Sequence, residues 1–377
     1  MGKKVLHVIT GLGDGGAEGV LSRICLNSHG AEHVVISLTD EGKYASILRE
    51  GGVKVEALGM ISVRASIGHF WQLIKMIRAE KPDVVQTWMY HADLIGGLAA
   101  RFAGIRNVIW GIRQTTLGRA IAKKSTIAIA RVCSVLSYIV PKKIVCCAEK
   151  AQKAHVGLGY CKNKMMVIPN GYDLCKLKPS TEARTRIRAQ IGVDSEEFLL
   201  GMVGRYHPQK DHKNLLESLV LLNKWGYSIR CALVGTGLTA ENQELRRMIS
   251  KMGLDNTVLL SGPRRDIPDF MNALDAHVLS SFSEGFPNVV AEAMACGIPC
   301  VSTDVGDASV IIGDTGFLCP PENAEALARA IASSLEERLH YPETYFDRGE
   351  RSRARVMARY SLNHTVQLYE LAWNLGD

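Results

Sequence analysis

The 377-residue chain contains no uninterrupted apolar run of the roughly 18–20 residues that a membrane-spanning helix requires. It also contains no Cys-x2-Cys pair, no Asp-x-Asp triplet, no repeat of 20–50 residues and no low-complexity tract. Without the apolar run, an integral helical membrane protein is excluded. Without paired thiolates at short spacing, a zinc scaffold is disfavoured. The ten cysteines, at 25, 133, 146, 147, 161, 175, 231, 296, 300 and 319, read instead as small buried thiols of a reduced protein. Glycines cut short the apolar stretch Val5–Thr10 before it reaches the length of a leader-peptide core, so a cytosolic location is expected. Disorder is excluded by what is present, 47% hydrophobic and 22% charged residues. The length suggests two domains.

Acids are scarce in one place. The net charge of +7 hides a neutral first hundred residues, with ten bases and ten acids. Residues 101–164 hold thirteen Lys/Arg against one acid, Glu149, a charge of +12. The remainder, with 22 bases and 27 acids, is at −5. Ordinary surfaces mix signs, so a segment of that density attracts anions such as phosphates, nucleic acid or an acidic membrane. Nucleic acid is disfavoured because only Trp110, Tyr138 and Tyr160 accompany the bases. Within the segment, 115–140 reads as an amphipathic helix ending before Pro141. Leu117, Ile121, Ala128, Val132, Val135 and Ile139 are expected on one face. Arg119, Lys123, Lys124 and Arg131 are expected on the other, continuing into Lys142 and Lys143.

Strand and helix patterns alternate throughout, which implies parallel sheets covered by helices. Strands are predicted at 4–9, 33–38, 53–57, 83–87, 107–110, 143–147 and 165–168, with helices such as 17–28, 67–80 and 91–103 between them. Turn residues break the pattern near 169–180. A second set follows, with strands at 198–203, 229–234, 257–260, 275–279, 299–302 and 317–318, and helices at 213–224, 240–252, 288–296 and 323–336. Two doubly wound domains are expected, with ligand in a crevice at strand carboxyl ends.

Three motifs carry chemistry. Gly11-Leu12-Gly13-Asp14-Gly15-Gly16 lies between a strand and a helix, and Asp40 ends the next strand. Such a loop lets amides approach a phosphate at a helix N-terminus, so a dinucleotide-dependent oxidoreductase stays open on this motif. Arg205 and Lys210 place two cations on a loop after a strand, a suitable pair for a diphosphate leaving group. In Ser283-Glu284-Gly285-Phe286-Pro287-Asn288-Val289-Val290-Ala291-Glu292, the two carboxylates flank a helix N-terminus. Amides from Gly285 to Val290, Pro287 excepted, would face an anion there, leaving the carboxylates to meet hydroxyl groups.

The combination resembles the glycosyltransferases of family 4, retaining enzymes of the GT-B fold. The likeness runs through Gly15-Gly16-Ala17-Glu18, Ile168-Pro169-Asn170-Gly171, the Arg205/Lys210 loop, Leu233-Val234-Gly235-Thr236-Gly237 and Glu284-x7-Glu292, and on into Ala293–Pro299 and Ser302–Gly306. It implies two Rossmann-like doubly wound domains facing a central cleft. An acceptor domain would span 1–170, a linker 171–180, a nucleotide-sugar domain 181–355, and a C-terminal helix, 356–377, would return to the first domain. It further implies that Gly15 and Gly16 offer amides to the donor and that Arg205 and Lys210 neutralise its diphosphate. Glu284 would hold the transferred sugar, Glu292 the ribose, and His91 would face the donor sugar. Gly235, Gly237, Arg264, Gly285, Phe286, Pro287, Asn288 and Val289 would complete the donor site. Asp307 departs from the family's Gly-Gly after Asp304-Val305. With no Asp-x-Asp, cations and helix amides are expected to replace a metal, and no cofactor is expected. The implied reaction moves a hexose or N-acetylhexosamine from a nucleotide diphosphate sugar, UDP first and GDP-mannose as the alternative. The implied acceptor is a lipid-linked glycan at the inner face of the plasma membrane. There 115–143 would rest on an anionic surface.

Overall fold

The computed structural model describes residues 3–13, 15–60, 67–115 and 124–373. The chain divides into two compact units, residues 1–171 with 362–377, and residues 172–361.

The first unit runs β1 (Lys3–Ile9), α1 (Gly16–Asn27), β2 (Ala31–Ser37), α2 (Gly42–Glu50), β3 (Lys54–Ala57), α3 (Ile67–Glu80), β4 (Val84–Trp88), α4 (Tyr90–Phe102), β5 (Val108–Ile112), α5 (Lys124–Leu136), β6 (Lys143–Cys146), α6 (Glu149–Gly157) and β7 (Met165–Val167). The second runs α7 (Thr181–Ile191), β8 (Leu199–Val203), α8 (His212–Lys224), β9 (Arg230–Val234), α9 (Gln243–Lys251), β10 (Val258–Gly262), α10 (Ile267–Ala273), β11 (Ala276–Leu279), α11 (Asn288–Ala295), β12 (Cys300–Thr303), α12 (Ala308–Ile312), β13 (Phe317–Cys319), α13 (Ala324–His340) and α14 (Pro342–Arg359). The last helix, α15 (Leu362–Trp373), belongs to the first unit. Residues 172–180, read as a linker, fall within the second unit.

Both sheets are wholly parallel, ordered β3-β2-β1-β4-β5-β6-β7 and β10-β9-β8-β11-β12-β13. Parallel strands buried on both faces need near-continuous apolar sequence, which Val5–Ile9 and Leu199–Val203 supply. Helix ends follow from local side chains. Ser180 accepts from the Ala183 amide at the start of α7, and Gly192 closes that helix in the left-handed region at φ 67. At the amino edge of the second sheet, Asp275 is buried beside Arg184, Arg188 and Arg338 and accepts the Leu199 amide at 2.7 Å.

One expectation is overturned. Described α5 starts at Lys124, and Leu117, Ile121, Arg119 and Lys123 lie outside the described residues. The apolar residues expected on one face, Ala128, Val132, Val135 and Ile139, are exposed. The buried side is Ala130, Cys133, Ser134 and, just beyond, Ser137. That side packs on α4, where Cys133 Sγ reaches the Tyr90 carbonyl at 3.7 Å. Arg131 follows Ala128 by three positions and precedes Val135 by four, so the cation shares the apolar stripe instead of opposing it.

Candidate active site

Strand order in the second unit reverses between β8 and β11, and ligands of doubly wound sheets bind beyond strand carboxyl ends at such a reversal. The loops leaving these two strands carry the predicted cations and carboxylate. Lys210 Nζ lies 2.7 Å from Glu284 Oε1, and Ser281 Oγ donates to the same oxygen at 2.8 Å. Gln209 ties the loops together: its Nε2 donates to the Ser283 carbonyl at 2.5 Å, and its own carbonyl accepts from the Phe282 amide at 3.1 Å. Ser280 Oγ adds bonds to the carbonyls of Lys210 and Asp211. Arg205 stands exposed at the head of the same loop.

Glycines make these approaches possible. A Cβ at Gly235, which has φ 147, would overlap the Gly204 carbonyl, and one at Gly237 would lie 2.9 Å from Tyr206 Cβ. Gly306, at φ 52, lets its loop press on the backbone of Glu284 and Gly285, and the Asp307 amide donates to the Gly285 carbonyl at 3.2 Å. Asp307 is itself buried, so this departure from the family pattern sits in a buttress beneath the acid loop.

Asn288 opens α11, and its Oδ1 accepts from Tyr172 OH at 2.7 Å. Phe286 sets its ring edge-on to Tyr360 at 5.6 Å. Pro287 is buried, Gly285 and Val289 are partly exposed, and the Val290 amide is taken by the Pro287 carbonyl. Glu292 is partly exposed in the second turn of α11. Arg264 is committed elsewhere: it forms a two-pronged bridge to Asp266 at 2.9 and 2.6 Å and also donates to Gln190.

In the first unit the order reverses between β1 and β4, and the loops after these strands hold Gly15, Gly16 and His91. Gly15 caps α1 in an extended conformation, and Gly16 begins the helix. His91 is the second residue of α4, and burial lowers its imidazole pKa, leaving it neutral at pH 7. Its neighbours are pinned. Met89 has φ 73, unusual for a non-glycine residue, and its amide donates to the Gly111 carbonyl at 2.9 Å. Asp93, fully buried, accepts from Thr87 Oγ1 and, at 3.2 Å, from the Gly111 amide. Tyr90 OH meets His155 Nε2 at 2.7 Å.

Of the basic segment, Lys124, Arg131 and Lys142 are exposed. Lys143 instead reaches the carbonyls of Leu371 and Ala372, where it caps α15. Among the described residues, one cluster, His7, Cys25 and His33, has the makings of a metal site. Trp88 Nε1 donates to His7 Nδ1 at 3.2 Å, which places the His7 proton on Nε2, and Nε2 meets His33 Nδ1 at 3.0 Å. A metal on His7 Nε2 would force its proton onto Nδ1, facing the indole N–H, so the cluster reads as a polar seam in the core.

Sequence reasoning passed over Gln209, Ser281, His207 and Asp93. Their signal was proximity: each lies within three residues of a predicted site residue. His207 accepts from the Gln209 amide through Nδ1 and sits between Arg205 and Lys210. Burial and these two cations lower its pKa, so its Nε2–H is a neutral donor at pH 7.

Comparison with known proteins agrees with this layout. Residues 15–176 match the profile of Glycosyltransferase Family 4, and residues 183–355 that of Glycosyl transferases group 1. The chain is 27% identical over 359 residues to the putative glycosyltransferase EpsF of Bacillus subtilis, with 91% of each chain covered. It is 25% identical over 272 residues to the UDP-Gal:alpha-D-GlcNAc-diphosphoundecaprenol alpha-1,3-galactosyltransferase of Escherichia coli, covering 71% of this chain and 70% of that one. Among solved structures, Anabaena Alr3699/HepE in complex with UDP-glucose matches at a TM-score of 0.84 and 23% identity, over 98% of this chain and 99% of that one, a likeness of fold. With one profile on each half and two Rossmann-like units beneath them, the chain belongs to glycosyltransferase family 4 and has the GT-B fold.

Proposed function

We propose that the protein is a retaining, metal-independent hexosyltransferase. It moves a hexose or N-acetylhexosamine from a nucleotide diphosphate sugar, UDP first, to a lipid-linked glycan in surface polysaccharide synthesis. The observation that carries this reading is the Lys210–Glu284 pair at the chain reversal, with Arg205 exposed on the same loop. Relatives support its finer terms: the Escherichia coli enzyme is named for UDP-Gal and a diphosphoundecaprenol acceptor, and Alr3699/HepE was solved with UDP-glucose.

On this reading Arg205 and Lys210 neutralise the diphosphate, helped by the α11 amides. Glu284 holds sugar hydroxyls, and Glu292 holds the ribose. His91, with Gly15 and Gly16, contributes from the first unit. The bond from the anomeric carbon to the diphosphate breaks, and its electron pair stays on the phosphate oxygen. The acceptor oxygen bonds to the anomeric carbon from the same face, and its proton passes to the departing phosphate. The basic segment attracts the anionic surface that carries the acceptor.

The test is a thermal-shift screen of UDP-glucose, UDP-galactose, UDP-N-acetylglucosamine and GDP-mannose, followed by NMR of the product anomer with and without EDTA. A donor at 100 times its Kd should stabilise the protein by about 2.7 kcal/mol. Lys210→Ala and Glu284→Ala should each lower turnover roughly 10²–10³-fold. Full turnover in either variant, or an inverted product, overturns the reading.

A further inference from the structure

The second unit holds a cavity of about 520 Å³ at the amino edge of its sheet, away from the strand ends that lead to Lys210 and Glu284. Small-molecule sites commonly measure roughly 300–1,000 Å³ and set a few polar groups in a mainly apolar wall. The lining has that character. Leu274 and Pro299 come just before β11 and β12, Ile298 follows α11, and Tyr345, Phe346 and Met357 belong to α14. Phe346 is 69% exposed and Met357 50%, so apolar surface stands uncovered at the mouth. The cavity is built into the packing. A Cβ at Gly349 would lie 2.4 Å from the Gly297 carbonyl oxygen, so glycine there lets α14 press on the turn that closes α11.

Charge selects the occupant. Residues 165–377 carry −5 overall, yet positive charge gathers here. Asp275, in the cavity wall, is one carboxylate among three guanidinium groups, those of Arg184, Arg188 and Arg338. Arg184 and Arg188 also spend donors on the Ala273 carbonyl. Arg353, a further lining residue, is different. Its Nη1 donates to the carbonyls of Leu177 and Ala295, which fixes the group, while Nε and Nη2 have no partner among the described residues. A part-buried guanidinium with two idle donors is matched by an anionic oxygen. Nothing in the wall competes for it: Tyr345 OH already donates to the Asp275 carbonyl, and burial pushes the Cys296 thiol up to about 12, so it carries no charge. Glu350 also lines the cavity but is exposed to water.

We propose that this cavity binds a small amphiphilic anion, a medium-length alkyl chain with one carboxylate or phosphate head. The head meets Arg353, and the chain lies among Ile298, Phe346 and Met357. The site is separate from the donor loops: α11 opens at Asn288, and Cys296 and Gly297, which line the cavity, follow its other end. Binding is read without turnover, so the inference stands apart from the transferase reading.

The experiment is isothermal titration calorimetry of the full chain with decanoate, decyl phosphate, decanol and decyltrimethylammonium, each kept below its micelle-forming concentration. At least one of the two anions should bind saturably at one site per chain, and the tighter of them identifies the head group. Decanol should bind roughly 10–100-fold more weakly, and the cation should not bind. Arg353→Gln should weaken the anion by a similar roughly 10–100-fold. Because Arg353 also holds two carbonyls, Met357→Glu serves as a second variant: it alters an exposed position, should keep the wild-type circular dichroism, and should weaken the anion by setting a like charge in its path. Glu350→Gln should act in the opposite direction, tightening the anion up to about fivefold. Equal affinity for decanol and decanoate, anion binding that survives both Arg353→Gln and Met357→Glu, or a concentration-dependent dimer dispersed by Met357→Glu overturns the proposal.

Discussion

Acid should loosen the first unit through its histidine seam, and the effect can be sized. His7 and His33 sit on β1 and β2, hydrogen-bonded to each other, with the Trp373 ring of α15 against both at 5.6 and 5.5 Å. Burial lowers the pKa of His33 from 6.5 to about 4, and lowers that of His7 well below its ordinary value. The folded state therefore holds these rings neutral while the unfolded chain protonates them. Their contribution is complete above pH 6.5 and is lost as pH falls toward 4, at about 1.4 kcal/mol per pH unit for each ring. For His33 alone the loss is roughly 3 kcal/mol at pH 4, a large part of a typical 5–15 kcal/mol stability. Asp93 opposes it. Burial raises that carboxyl to about 8, so its contribution falls as pH rises from about 4 to 8. The informative quantity is thus the difference between wild type and His33→Gln, not the wild-type curve. Urea unfolding followed by tryptophan emission, at half-unit steps from pH 4.5 to 7.5, should show the variant losing about 2 kcal/mol less than wild type between pH 6.5 and pH 5. Parallel curves for the two proteins would refute the neutral buried pair.

Two further outcomes follow from buried carboxyls. Asp93→Asn cannot ionise yet keeps an acceptor for Thr87 and the Gly111 amide, so its stability relative to wild type should rise steadily between pH 4 and 8; a urea series parallel to wild type counts against the buried neutral acid. Asp275→Ala strands Arg188, only 4% exposed, and leaves the Leu199 amide without its acceptor, which should cost about 3–5 kcal/mol by denaturant melt; a loss below 1 kcal/mol would show the three arginines find other partners.

The alternation of strands and helices was legible because parallel sheets write themselves as apolar runs between amphipathic stretches. The strands at 4–9, 198–203 and 229–234 fall within a residue of where they are found. The Arg205/Lys210 and Glu284 loops were legible for a related reason: glycine, proline and charge crowd the end of a strand. That the two loops meet at one strand reversal was not, since nothing local encodes the β8–β11 pairing. Arg264 shows the opposite limit. The family resemblance implied a donor ligand there, and only the fold reveals Asp266 and Gln190 already holding it. For α5, the apolar stripe was read correctly and the place of Arg131 was not, since its spacing of three from Ala128 and four from Val135 sets it on that same stripe. A 3.6-residue stripe tells which residues share a face, and the packing on α4 decides which face goes in.

The Lys210–Glu284 pair also bears on how a site in an acidic half of the chain can take an anion. Residues 165–377 carry a net charge of −5, so the region offers no general attraction for a diphosphate. Nor is Lys210 bare: Glu284 neutralises it, and Ser281 and Gln209 hold the arrangement from below. On the proposed reading, a diphosphate would meet exposed Arg205 first and then take Lys210 by exchanging one anionic partner for another. Such an exchange avoids desolvating a free ammonium group, and it turns Glu284 toward the neutral hydroxyls of the sugar at the step when phosphate and sugar arrive together. A nucleotide diphosphate lacking its sugar would release Glu284 with nothing to bind. On the proposed reading, that is how a single ion pair favours the intact donor over the spent one.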